Sequence, residues 1–124
     1  MSNSDADTET RAERRERYER VVRTVGHNCD ADPDTGPPGA RRSQVVVSLA
    51  AHGPYAADGV TRSLRAAVEQ TDLLRWDDHR GVTRYTPTDE EDRLLAVCHY
   101  LVAYGVPNRA ETIATINHLR STDS

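Results

Sequence analysis

The chain contains no lysine and no phenylalanine, one tryptophan and two cysteines, and each of these shortages closes a class of chemistry. Without lysine there is neither a phosphate-loop lysine nor a Schiff-base nucleophile. Cys29 and Cys98 stand 69 positions apart, which fits neither a disulfide framework nor close-paired zinc ligands and reads as free thiols in a reducing compartment. No stretch approaches the roughly 18 consecutive apolar residues of a membrane span, and Met1 to Thr10 is acidic and polar where a signal peptide is basic and then apolar. The expectation is a cytoplasmic protein that makes no membrane contact. With 124 residues, 36% of them hydrophobic, the chain can build one small core and leaves a solvated remainder.

What is present is arginine: all 16 basic residues are of this type, and Asp exceeds Glu by 12 to 8. Together with abundant Ala, Val and Thr, this composition resembles that of proteins from halophilic archaea. The net charge of -4 is unevenly spread. Residues 1–40 carry 6 arginines against 9 acids, residues 41–86 carry 7 against 5, and residues 87–124 carry 3 against 6. The middle is the basic part.

Residues 1–8 have no periodicity and read as a disordered leader. From Thr10 to about Thr24 the pairs Glu13/Arg17, Glu16/Arg20 and Glu19/Arg23 recur at i,i+4, and Tyr18, Val21, Val22 and Val25 form a short apolar stripe on a helix. The Pro- and Gly-rich stretch 26–40 reads as a linker. Residues 41–52 place Val45, Val46, Leu49 and Ala50 on one helical face with Ser43 as N-cap, and Gly53-Pro54 stops that helix. A second helix, about Ala57 to Gln70, turns Val60, Leu64, Ala67 and Val68 inward and Thr61, Arg62, Arg65 and Glu69 outward. Two β-prone runs follow, 73–76 and 82–86, around the turn Asp77-Asp78-His79-Arg80-Gly81. Thr88-Asp89-Glu90-Glu91 reads as a capping box that opens a helix to about Tyr104, with Leu94, Leu95, Val97, Cys98, Leu101 and Val102 apolar. Asn108 with Glu111 caps a last helix carrying Ile113, Ile116 and Leu119, and the two form an antiparallel helical hairpin. The expected fold is mainly α with a small β-hairpin, divided into residues 1–40, 41–88 and 89–124.

The string SLAAHGPYAADGVTRSLRAAVEQTDLLRWDDHRGVTRYTPT, helix, Gly turn, helix and two-stranded hairpin, resembles the small winged helix-turn-helix proteins of haloarchaea over about residues 41–86. The third helix such a domain needs comes from residues 11–24 or from the C-terminal pair. The resemblance implies a DNA-binding transcriptional regulator. Residues 57–70 then form the recognition helix, with Arg62 and Arg65 reaching phosphates or guanine edges and Thr61 a lesser contact. His79 and Arg80 at the wing tip, with Arg84 behind them, meet the flanking backbone or minor groove. Set against this, the arginines form an ordinary solvated face paired with Glu69 and Asp72, and Asp77 and Asp78 repel phosphates unless an arginine neutralises them. In that case the same fold is a protein-interaction module that binds no nucleic acid.

Catalytic and metal readings are weaker. Cys98 and His99 are neighbours whose side chains diverge by about 100° on a helix, so they form no thiolate dyad. His27, Asn28 and Cys29 with His99 lack zinc spacing, and Asp77, Asp78 and His79 lie in an exposed turn. No enzyme, cofactor or metal is expected. Trp76 and Tyr85 are expected near each other across the hairpin, in core packing or as a stacking platform. Tyr100 and Tyr104 form an interface ridge or cover the last helix. The wide apolar face of residues 89–104 leads to a homodimer through the two C-terminal helices; the intramolecular alternative covers that face with the Tyr18/Val21/Val22/Val25 stripe.

Overall fold

The structure, a computed structural model, describes residues 10–29, 36–51, 53 and 55–122. The leader 1–8, residues 30–35 of the 26–40 linker, residue 52 and Pro54 lie outside the described residues. Within them the chain is mainly helical with one antiparallel hairpin: α1 (Arg11–Cys29), α2 (Arg42–Ala50), α3 (Ala57–Glu69), β1 (Leu73–Asp77), β2 (Thr83–Pro87), α4 (Glu91–Ala103) and α5 (Arg109–Thr122). No helix of these residues is long and apolar enough to cross a membrane.

The period of two in β1 makes the hairpin a wall between two cores. Leu73 faces Val21 and Val25 of α1, Val45 and Leu49 of α2, and Val60, Leu64 and Ala67 of α3. Leu74 and Trp76 face Leu94, Val97, Tyr100 and Leu101 of α4, with Val106 and Ile116 behind them. Each of these fully buried aliphatic side chains contributes about 1.5–3 kcal/mol. The third helix of the first core is therefore α1. Its stripe is taken up there and does not cover α4.

Helix α1 runs five residues past the expected end at Thr24. Gly26, a breaker by propensity, is buried against the next layer: a Cβ there would lie 3.2 Å from Nη1 of Arg93. Asn28 Nδ2 donates to the Thr24 carbonyl at 2.9 Å and the Cys29 thiol donates to the Tyr85 carbonyl at 3.2 Å. Tertiary contact thus overrides propensity. At the other end Thr10 and Glu13 form a reciprocal capping box, 2.9 and 3.0 Å. Of the expected i,i+4 pairs, Glu16 meets Arg20 at 3.8 Å, while Arg17 is buried and donates from Nε to Ser63 Oγ at 2.9 Å.

Two other caps differ from expectation. The N-cap of α2 is Arg41 rather than Ser43, because Gln44 reaches back to accept the Arg41 N–H at 2.8 Å. Thr88 does not cap α4; its hydroxyl donates to the Thr71 carbonyl, and Glu90 is the N-cap.

In the hairpin Trp76 pairs with Arg84 and Arg75 with Tyr85. Trp76 and Tyr85 consequently lie on opposite faces, Trp76 in the second core and Tyr85 against the first, so they form no shared platform. Ala40 adds a one-residue bridge to the outer edge of β2, exchanging two backbone hydrogen bonds of 2.9 Å with Tyr85. Gly81, at φ 78°, supplies the left-handed residue of the turn.

Candidate nucleic-acid interface

The α2–α3 pair exposes one mixed surface. Gly59, Val60, Ser63, Leu64 and Ala67 take the buried face of α3, which leaves Asp58, Arg62, Arg65 and Glu69 in solvent. Arg62 and Arg65 have no ion-pair partner among the described residues, so the expected pairing with Glu69 and Asp72 is absent. Thr61 is half-buried beside α2: its hydroxyl donates to the Ala57 carbonyl at 3.0 Å and accepts from Arg42 Nη1 at 3.2 Å. Arg41 and Arg42, exposed at the start of α2, are members of this surface that the sequence reading passed over. The signal for them is the Arg-Arg pair directly ahead of Ser43, the N-cap that the sequence offers.

At the hairpin tip the three candidate residues separate. Arg80 is exposed. The His79 ring is drawn back onto α4, where Nδ1 meets the Tyr100 hydroxyl and the imidazole stacks on Tyr104 at a centroid distance of 4.7 Å. The two tyrosines thus meet the turn; Tyr100 is buried in the core that Ile116 of α5 joins, and Tyr104 stays exposed. Arg84 is turned inward: Nε donates to Asp78 Oδ2 at 2.8 Å and Nη1 to the Gly39 carbonyl at 2.9 Å, with its side chain 15% exposed. That geometry removes Arg84 from the solvent-facing set.

It also changes the electrostatics of the tip. Asp78 is buried and accepts the N–H groups of Arg80 and Val82 at 2.8 and 3.0 Å, which fixes the turn. Burial pushes its carboxyl up, but the Arg84 guanidinium and the two N–H groups more than offset this and hold it below the ordinary value. Arg84 therefore neutralises Asp78. Asp77 remains exposed and accepts a bond from the Thr83 hydroxyl at 2.9 Å.

Cys98 is not set up as a thiolate. Burial pushes the Cys98 thiol up against the opposing charge of Arg120, the reverse of what a reactive thiolate needs. No group of three or more His, Cys, Asp or Glu among the described residues is placed to hold a metal. The chain matches no protein-family model, no curated protein and no solved structure.

Proposed function

We propose that the chain is a DNA-binding transcriptional regulator of the winged-helix type, with α3 as recognition helix and the turn after β1 as the wing tip. The observation that carries the reading is the pair of guanidinium groups, Arg62 and Arg65, without an ion-pair partner among the described residues, on the exposed side of a helix whose neighbour α2 starts with Arg41 and Arg42. Packing of α1 on α2 and α3 supports a trihelical domain followed by a wing. The arginine-only composition supports a place among haloarchaeal proteins working in a salt-rich cytosol. There, base contacts matter more than phosphate contacts, because counterion release fades as salt rises.

The test is fluorescence anisotropy on genomic duplex fragments from low to molar KCl. Arg62→Ala and Arg65→Ala each weaken a cognate site by about 1–3 kcal/mol without lowering the melting temperature. Arg80→Ala weakens all sequences alike and lowers the salt slope by about 1. One observation favours the protein-interaction alternative: Asp58 and Glu69 share the exposed face with the arginines. Wild-type protein that retains no duplex at any salt would decide for it.

The dimer belongs to the same proposal. Val102 and Tyr104 are 63% and 58% exposed at the end of α4, and the α1 stripe that was to cover this helix is buried in the other core. A second copy presents two recognition helices to a palindromic site. Leu101 is 1% exposed, so a charge there tests folding. Val102→Glu is the informative change, and it converts a dimer mass in light scattering at molar KCl to the 13.8 kDa monomer.

A further inference from the structure

Helix α1 carries one face through two chemistries. Residues 11, 14, 18, 21 and 25 follow the three-and-four spacing of a single helical stripe. Its C-terminal half, Val21 and Val25, is buried in the first core. Its N-terminal half is Arg11 and Arg14, and it overhangs α3 instead of entering the core. The result is a groove of about 830 Å³ between α1 and α3, whose wall includes Arg11, Arg14, Arg15, Arg17 and Arg62.

The opposing charge there is smaller than the positive charge, two carboxylates against five guanidinium groups. Glu19 lines the groove but pairs with Arg15 at 3.7 Å. Asp72 lines it too, and accepts the Tyr18 hydroxyl. From α3 and its C-cap the groove receives Ser63, Ala66 and Gln70, all neutral, and Arg62. Arg17 is held at the floor by Ser63 and by close contact with Gly59, where a Cβ would lie 3.2 Å from its Cδ. Arg11, Arg14 and Arg62 thus converge with no carboxylate partner among the described residues. Like charges gathered in a groove raise the local positive potential and attract an extended anion.

We propose that this groove holds the sugar-phosphate backbone of duplex DNA beyond the stretch that α3 contacts. The inference rests on the reading of α3 as a recognition helix. Arg62 connects the two surfaces, since it lines the groove and also stands on the exposed side of α3. The groove contributes phosphate contacts and no sequence reading.

The experiment uses the full chain and two duplexes, one limited to the site that α3 spans and one longer by a helical turn at each end, titrated by anisotropy over a KCl series. Arg11→Gln/Arg14→Gln weakens the longer duplex at least about tenfold at low salt and lowers the slope of log affinity against log salt by about 2, since each phosphate contact contributes ~0.9. It leaves the short duplex unchanged. Both residues are exposed, and circular dichroism checks the fold; Arg14→Gln alone, expected to lower the slope by about 1, serves if the double variant does not fold. Affinities and slopes equal to wild type on both duplexes overturn the groove, while loss of binding in Arg65→Ala keeps the α3 reading in place. Loss through the double variant with none through Arg65→Ala does the opposite. Failure of the wild type to bind either duplex overturns both.

Discussion

Arg84→Ala lowers the unfolding free energy by about 3–5 kcal/mol, the cost of leaving a buried carboxylate without its counter-charge. The side chain of Asp78 is 1% exposed and that of Arg84 15%, so the pair is far less screened than a surface ion pair. The second Arg84 bond, to the Gly39 carbonyl at 2.9 Å, disappears as well, and with it a tie between the hairpin and the segment leading into α2. Arg84→Lys keeps a charge but cannot make both bonds from one planar fork, and recovers only part of the loss. Urea unfolding followed by circular dichroism measures each. A loss below about 1 kcal/mol would place the pair with ordinary surface ion pairs and remove it as the reason the turn is rigid.

The same pair sets an acid limit. Asp78 titrates below its ordinary value of 3.8 in the folded chain. Its contribution is complete above the unfolded-state value and is lost as pH falls through the lower folded-state value. Wild-type stability should therefore decline below about pH 4, and Arg84→Ala, already deprived of the pair, should decline less over that window.

The hairpin was legible because the apolar period changes from helical to two at Leu73, and because a Gly ends a polar turn. What the turn does was not legible. Asp77, Asp78, Arg80 and Arg84 are four charged residues within eight positions, and only register and burial decide which are withdrawn. The pairing of Trp76 with Arg84 sends Arg84 to the Asp78 side and takes it out of the candidate surface. The same pairing separates Trp76 from Tyr85. Helix α1 ends near Thr24 in the sequence because the Pro- and Gly-rich stretch from Gly26 reads as a linker, whereas Gly26 is small where another layer approaches. That its basic half borders a groove is not legible, because the sequence does not show which helix lies opposite. Arg62, Arg65 and Arg80 were correctly read as exposed, since each is off the apolar stripe or at the turn.

Trp76→Ala has an effect of similar size for a different reason, about 3–5 kcal/mol from deleting a buried aromatic ring. The residue is 3% exposed and joins three structures. Its Nε1 donates to Thr86 Oγ1 at 2.9 Å, and that hydroxyl donates onward to the Pro38 carbonyl at 2.7 Å. Its ring meets Tyr100 edge-on at 5.4 Å between centroids, and Gly39 leaves it room, since a Cβ there would lie 3.1 Å from its Cζ2. Trp76→Phe keeps part of the apolar contact and loses the donor to Thr86 with some ring volume, at about 1–3 kcal/mol. Because Trp76 is the only tryptophan, its fluorescence vanishes with it, and circular dichroism has to follow unfolding in all three proteins. Equal losses for Ala and Phe would assign the effect to the Thr86 bond and not to the ring. Amide exchange locates the damage: Trp76 belongs to the core formed with α4 and α5, while Leu73 beside it belongs to the core of α1 to α3. Protection should therefore fall first in α4. A uniform fall across α1 to α5 would mean that the hairpin couples the two cores into one cooperative unit.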